Sequence, residues 1–286
     1  MLIFMAEHAG FCFGVKRAVD AIEHSLQDNS VVWTIGLPIH NPQEVARLQA
    51  LGLKVAQSEA DIPDGARVLI RAHGEPVEVI NRLKAKGVSV QDMTCPFVKK
   101  AQDAASELSR KSYHVVLLGD RNHPEIRGII GHTENPASVD VIANEDEAQR
   151  LSRFGKIALI SQTTQREERL AKVAAILVRK CSELRICNTI CKATAERQEA
   201  ARELVRNNDV DGVVLIGGKQ SANTAKLRDI IAAEGVSVLW IEDEKELAEH
   251  SSWFTGKNRI GIAAGASTPG WLIDSVKAKI TEADAQ

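Results

Sequence analysis

Short runs of β-branched and other apolar residues alternate with longer amphipathic stretches from one end of the chain to the other. The runs are strand-sized, and their near-continuous Val, Ile and Leu content is that of parallel strands covered on both faces. They predict strands over 2–6, 31–35, 67–72, 88–91, 114–118, 157–161, 212–216, 236–241 and 259–263. Between them, apolar positions at helical spacing predict helices over 15–26, 98–109, 165–179, 193–205 and 222–233. Alternation of this kind defines the α/β class with a mainly parallel sheet arrangement. No Pro- or Gly-rich linker divides the chain. Three cysteines, Cys12, Cys95 and Cys191, nevertheless cut it at nearly equal intervals. The expectation is three similar α/β lobes, 13–95, 96–190 and 1–12 with 191–282, followed by a short tail, 283–286. No repeated sequence motif accompanies this spacing.

Composition narrows the picture. With 286 residues, 44% hydrophobic and 26% charged, the chain has the make-up of a water-soluble globular protein. Its apolar runs fall far short of the roughly 20 residues that span a bilayer. The first residues lack the basic start and long apolar stretch of a secretory signal, so a cytoplasmic location is expected. A net charge of −2, with signs mixed throughout, provides no basic stripe for nucleic acid.

In open α/β sheets ligands bind beyond the carboxyl ends of the strands. Here the predicted strands run into His73-Gly74, Asp120-Arg-Asn-His123-Pro-Glu125, Gln162-Thr163-Thr164, Gly217-Gly-Lys-Gln-Ser221-Ala-Asn223 and Gly265-Ala-Ser267-Thr268. Any one of these hydroxyls or amides fits an ordinary helix cap. Capping does not account for His40, His73 and His123, each beside a Gly or Pro turn. Helix starts, hydroxyls and imidazoles together suit an anion such as a phosphorylated small molecule. No P-loop or Gly-x-Gly-x-x-Gly element is present, so nucleotide binding is not supported.

The five cysteines form an odd set in a chain expected to stay in a reducing compartment, which favours metal binding or catalysis over disulfides. Cys12, Cys95 and Cys191 share one placement: loop, cysteine, helix. A helix N-terminus favours the thiolate, and three thiolates suit an iron-sulfur cubane with one iron free of protein ligands. Zinc is the competitor, through the Cys187/Cys191 pair, although no second closely spaced pair completes such a site. Cys181 and Cys187 read as core or surface thiols. A non-enzymatic redox sensor and a zinc-dependent phosphate ester hydrolase therefore stand as alternative functions at this level.

Taken together, Gly10-Phe-Cys-Phe-Gly-Val-Lys-Arg-Ala, His40-Asn, Ala72-His-Gly, Thr94-Cys-Pro, His123-Pro-Glu, Gln162-Thr-Thr, Cys191 with Arg197-Gln-Glu-Ala, Ser221-Ala-Asn and Gly265-Ala-Ser resemble the 4-hydroxy-3-methylbut-2-enyl diphosphate reductases, the LytB family, over essentially the whole chain. The resemblance implies three lobes around one central 4Fe-4S cluster with Cys12, Cys95 and Cys191 as its three cysteine ligands. It implies the last step of the methylerythritol phosphate route to isoprenoids: reductive loss of an allylic hydroxyl, giving isopentenyl and dimethylallyl diphosphate. Glu125 would supply protons beside Thr163. His40, His73, His123, Ser221, Asn223 and Ser267 would hold the diphosphate, with Thr163 and Thr164 also in the substrate site. A ferredoxin or flavodoxin would deliver electrons. The family often has two serines before the asparagine; here the second is Ala222, so one diphosphate contact is lost or passes to backbone.

Overall fold

A computed structural model describes residues 1–27 and 30–284, with the side chains of 283 and 284 left aside. Strand and helix alternate throughout: β1 (Leu2–Met5), α1 (Phe13–Leu26), β2 (Val32–Ile35), α2 (Pro42–Ala50), β3 (Leu53–Ala56), β4 (Arg67–Ile70), α3 (Val77–Ala85), β5 (Ser89–Asp92), α4 (Pro96–Arg110), β6 (His114–Leu118), α5 (Pro124–Ile130) and β7 (Val139–Ile142). The second half continues with α6 (Glu145–Arg150), β8 (Phe154–Ser161), α7 (Glu167–Leu177), β9 (Cys181–Cys187), α8 (Lys192–Asn208), β10 (Gly212–Ile216), α9 (Ala222–Ala233), β11 (Ser237–Ile241), α10 (Glu246–Glu249), β12 (Arg259–Ala264) and α11 (Gly270–Asp284). The last helix takes in the first two residues of the expected tail; 285 and 286 lie outside the described residues.

The strands form three four-stranded sheets, in the orders β3-β2-β4-β5, β7-β6-β8-β9 and β1-β12-β10-β11, and every pairing is parallel. The α/β class and the parallel sheets expected from the sequence are thus present. Contacts divide the chain into two compact units, Met1–Asp20 with Leu37–Leu51 and Lys192–Gln286, and Ala21–Gly36 with Gly52–Cys191. The first unit holds the sheet containing β1, and the second holds the other two.

Burial on both faces explains the near-continuous apolar runs of the central strands. On β6, Val115 and Leu117 enter one core with Ala101, Ala105 and Ile126, while Val116 and Leu118 enter another with Leu170, Val173 and Leu177. On β10 the same alternation sends Val213 and Leu215 to one side, Val214 and Ile216 to the other. Side chains of this size each contribute roughly 1.5–3 kcal/mol when fully buried, so the strand cores hold the frame that positions the loops.

Nine strands appear where the sequence predicts them, within a few residues at their ends, and β3, β7 and β9 are additional. All three additions are edge strands. β9 shows the reason: in Cys-Ser-Glu-Leu-Arg-Ile-Cys only Cys181, Leu184 and Cys187 are half-buried and the others are exposed, so there is no unbroken apolar run. The helix predicted over 165–179 is shorter, Glu167–Leu177, because Gln165 closes a turn back to the carbonyl of Gln162.

Candidate active site

Cys12, Cys95 and Cys191 are free, half-buried thiols held by one recurring backbone hook. The Cys95 N–H donates to the Ala72 carbonyl at 3.0 Å, that of Cys191 to Thr163 at 2.9 Å, and that of Cys12 to Ala266 at 3.0 Å. Ala72, Thr163 and Ala266 each lie two residues past the end of a central strand, β4, β8 and β12. A helix starts directly after Cys95 and Cys191, and α1 begins at Phe13 after Cys12. The carbonyls of Cys12 and Cys95 accept the first helical hydrogen bonds, from Lys16 at 2.8 Å and Lys99 at 2.9 Å. Each of the three cysteines therefore immediately precedes the start of a helix.

The Cys95 loop has a further brace. Asp92 Oδ1 accepts from the Thr94 N–H at 2.9 Å and from its hydroxyl at 2.5 Å. Burial pushes the Asp92 carboxyl up, but the two Thr94 bonds and Lys99 outweigh it and hold the group below the usual aspartate range.

Cys181 and Cys187, also free and half-buried, differ in setting. They lie at the ends of β9, pack against the sheet cores, and burial pushes both thiols up, away from thiolate. Cys181 donates to the Leu177 carbonyl at 3.3 Å. Soft thiolate donors at three helix starts suit iron or another thiophilic metal, and the remaining two cysteines do not.

In the second unit the anion-binding candidates surround a buried acid. Glu125, 2% exposed, accepts from Thr163 at both oxygens: the N–H reaches Oε1 at 2.7 Å and the hydroxyl reaches Oε2 at 2.8 Å. His123 caps α5, its Nδ1 accepting the Glu125 N–H at 3.2 Å. That bond fixes the tautomer of the neutral ring: the proton resides on Nε2, which can donate to a ligand. The His73 ring meets the His123 ring edge-on, with centroids 5.3 Å apart. Thr164, beside Thr163, is half-buried.

His73 sits in a tight turn whose support the sequence did not reveal. Gly74 has φ +74, and a Cβ there would lie 2.4 Å from Gln102 Nε2 on α4. The turn is spanned by a buried ion pair between Arg71 and Glu75, with Nε and Nη2 each 3.1 Å from Oε1. Burial raises the Glu75 carboxyl even against the pull of Arg71, and lowers the Arg71 guanidinium. The spacing of four between opposite charges was the available signal, but such pairs are common on exposed surfaces.

In the first unit, Ser221 does cap a helix: its Oγ accepts the Thr224 N–H at 3.2 Å at the start of α9. Its hydroxyl hydrogen remains available to a ligand. Asn223, 6% exposed in the first turn of α9, has no hydrogen-bond partner for either amide atom. A buried amide left so costs about 1–3 kcal/mol, which makes this side chain a candidate to bind a ligand. At Ala222 the helix start offers backbone N–H groups in place of a second serine hydroxyl. Ser267 is differently occupied, its hydroxyl donating to the His40 carbonyl at 3.1 Å. Gly218 also seats His40, since a Cβ there would stand 2.3 Å from that carbonyl oxygen. Asn41 then caps α2 by accepting from the Glu44 N–H at 2.9 Å, and the buried Glu44 carboxylate accepts from Trp271 Nε1 at 2.9 Å.

Parallel α/β sheets with thiols at helix starts, and an acid paired with a hydroxyl at a strand end, define a thiolate-centred α/β enzyme. The chain belongs to the LytB protein family, whose model matches residues 3–281. It is 43% identical over 283 residues to the 4-hydroxy-3-methylbut-2-enyl diphosphate reductase of Aquifex aeolicus (strain VF5), covering 98% of this chain and 96% of that protein. It is 42% identical over 285 residues to the enzyme of the same name from Geobacter metallireducens, covering 100% and 99% of the two chains. Among solved structures it is similar to one of (E)-4-hydroxy-3-methyl-but-2-enyl diphosphate reductase, described as the terminal enzyme of the non-mevalonate pathway, with 42% identity, a TM-score of 0.71, and coverage of 99% of this chain and 100% of that one. The Plasmodium falciparum reductase structure shares the fold, with a TM-score of 0.88 at 23% identity and coverage of 98% and 87%.

Proposed function

We propose that this chain is a 4-hydroxy-3-methylbut-2-enyl diphosphate reductase, an iron-sulfur oxidoreductase of isoprenoid biosynthesis. The observation that carries the reading is full-length identity above 40% to enzymes of that name. The reaction takes the allylic alcohol, two electrons and two protons to isopentenyl or dimethylallyl diphosphate and water.

Cys12, Cys95 and Cys191 hold one 4Fe-4S cluster, and the repeated N–H hook at three helix starts supports this choice over Cys181 and Cys187. When bound, the cluster supplies electrons singly and a Lewis-acidic iron, neither of which side chains provide. The protein handles binding and protons. His123 Nε2, His40, His73, Ser221, Asn223 and Ser267 bind the diphosphate; the unpartnered Asn223 amide supports its inclusion. Ser267 must turn its hydroxyl hydrogen from the His40 carbonyl to donate to the diphosphate. Thr163 and Thr164 line the substrate site. Glu125 supplies the proton; the Thr163 hydroxyl, which donates to its Oε2 here, relays that proton after turning to accept from the protonated acid.

The lobes 13–95, 96–190 and 1–12 with 191–282 each contain one of the three sheets. A ferredoxin or flavodoxin is the electron donor. No helix among the described residues is long and apolar enough to cross a membrane, and the enzyme works in the cytoplasm, where its thiols stay reduced. The test is anaerobic turnover of the hydroxy-allylic diphosphate with an artificial one-electron reductant. Formation of the two isoprenoid diphosphates supports the assignment; an anaerobically reconstituted protein that leaves the substrate intact overturns it.

A further inference from the structure

Gln102 lies on α4, the helix that starts directly after Cys95, and is 3% exposed. Its Nε2 has no hydrogen-bond partner. An amide donor buried in this way carries a desolvation cost that an apolar side chain of the same length avoids, so packing alone does not account for it. The group is pressed against the turn that carries His73: a Cβ on Gly74 would stand 2.4 Å from Nε2 and 3.5 Å from Gln102 Cδ. That turn closes through the Gly74 N–H, which donates to the Arg71 carbonyl at 3.0 Å. The same amide faces α5. A Cβ on Gly128 would lie 3.4 Å from Gln102 Nε2 and 3.4 Å from the His73 carbonyl oxygen. Donor and acceptor thus border one gap the size of a methyl group, open because residue 128 is glycine. The helix bounding that gap is the one that His123 caps and whose first turn holds Glu125.

We propose that Gln102 is a positioning residue for the anion site: when a diphosphate seats against the His73 and His123 rings, the turn closes on Gln102 Nε2, which donates to the His73 carbonyl and holds the two imidazoles at the spacing the ligand requires. This rests on the reading of His73 and His123 as diphosphate ligands. A carbonyl oxygen carries two lone pairs, so it accepts this bond in addition to any other. The two rings already meet edge-on with centroids 5.3 Å apart, and a small displacement of the turn alters how they converge on one ligand.

The experiment titrates the metal-free full chain with inorganic diphosphate by calorimetry and pairs each Kd with a melting temperature. Q102M removes the donor at nearly constant shape. G128A fills the gap without altering Gln102, and it replaces a helical glycine with a better helix former. Both should raise Kd about tenfold, the upper end for one hydrogen bond, and neither should lower the melting temperature. Wild type that binds diphosphate with both variants equal to it overturns the inference alone. Weaker binding found only together with a lower melting temperature also overturns it, because a packing role is then sufficient. If Q102M does not fold, G128A decides by the same two readings. Wild type that binds no diphosphate overturns the reading on which the inference rests.

Discussion

The contact between Glu125 and Thr163 allows fold and chemistry to be separated by two substitutions. In Glu125→Gln the amide oxygen can still accept the Thr163 N–H, now at 2.7 Å from Oε1, while the amide nitrogen donates to the hydroxyl 2.8 Å from Oε2. Both bonds survive in neutral form, so stability should fall by only about 1 kcal/mol, the difference between a charged and a neutral hydrogen bond. Thr163→Val keeps the shape but leaves one buried carboxylate oxygen without its hydroxyl donor, costing about 1–3 kcal/mol. At roughly 2–4 °C per kcal/mol for chains of this size class, thermal unfolding of the metal-free protein should rank T163V below E125Q. Turnover should show the reverse order. Loss of the proton donor lowers it by about 10²–10⁴-fold, whereas T163V removes only the relay. Rates are measured anaerobically with an excess of artificial reductant and normalised to cluster content. If acid and hydroxyl pass the same proton, the double variant is no slower than E125Q, because groups acting as a unit are not additive. Near-normal turnover by E125Q, or fully multiplicative losses in the double variant, would refute this assignment.

Serine substitution at Cys12, Cys95 or Cys191 should lower iron bound per chain, whereas C181S and C187S should leave it unchanged; equal loss at all five contradicts the ligand set. Gly218→Ala puts a methyl group 2.3 Å from the His40 carbonyl oxygen, so it should cost about 1–3 kcal/mol through overpacking and raise KM more than it lowers kcat; an unchanged KM removes His40 from substrate binding. Asp92 titrates below its usual range because the Thr94 bonds outweigh burial. A depressed carboxyl contributes stability above its unfolded value of about 3.9 that is lost as pH falls through the folded one. The gap in melting temperature between wild type and D92N should therefore be constant near neutrality and shrink in acid, and a gap that widens in acid would show the sign to be wrong.

How much the sequence disclosed follows from what each element is exposed to. β6 and β10 were legible to the residue because both faces are buried and, after the half-buried His114 that opens β6, no polar side chain interrupts either run. β3, β7 and β9 were not, since Lys54, Asp140, and Glu183 with Arg185 interrupt their apolar runs. The three helix-start cysteines were readable from local context alone. The supports of the candidate site were not, because their partners are remote in sequence: Gly218 seats His40, Arg197 grips Gly10, and Gln102 closes over Gly74. Ser221 was readable both as a cap and as a ligand, and its geometry permits the two together, the lone pair serving Thr224 while the hydrogen stays available.

A regularity with no counterpart in residue identity unites these positions. Numbering strands within each sheet, the order is second, first, third, fourth in all three, provided that β1 counts as the fourth strand of the sheet begun by β10. The cysteine always follows the fourth strand, and its N–H always binds the carbonyl two residues past the third. Five residues past the first strand come His40, His123 and Ser221, and three past the third come His73, Thr164 and Ser267. Seven past the first strand, Glu125 and Asn223 occupy equivalent places, one paired with Thr163 and the other unpartnered. What repeats is the backbone address, at the point where strand order reverses and ligands are bound. The side chain at each address varies, so no sequence motif recurs, and equivalent positions can carry an acid, an amide or an imidazole. One sheet thus places a buried carboxyl paired with a hydroxyl where another places a buried amide.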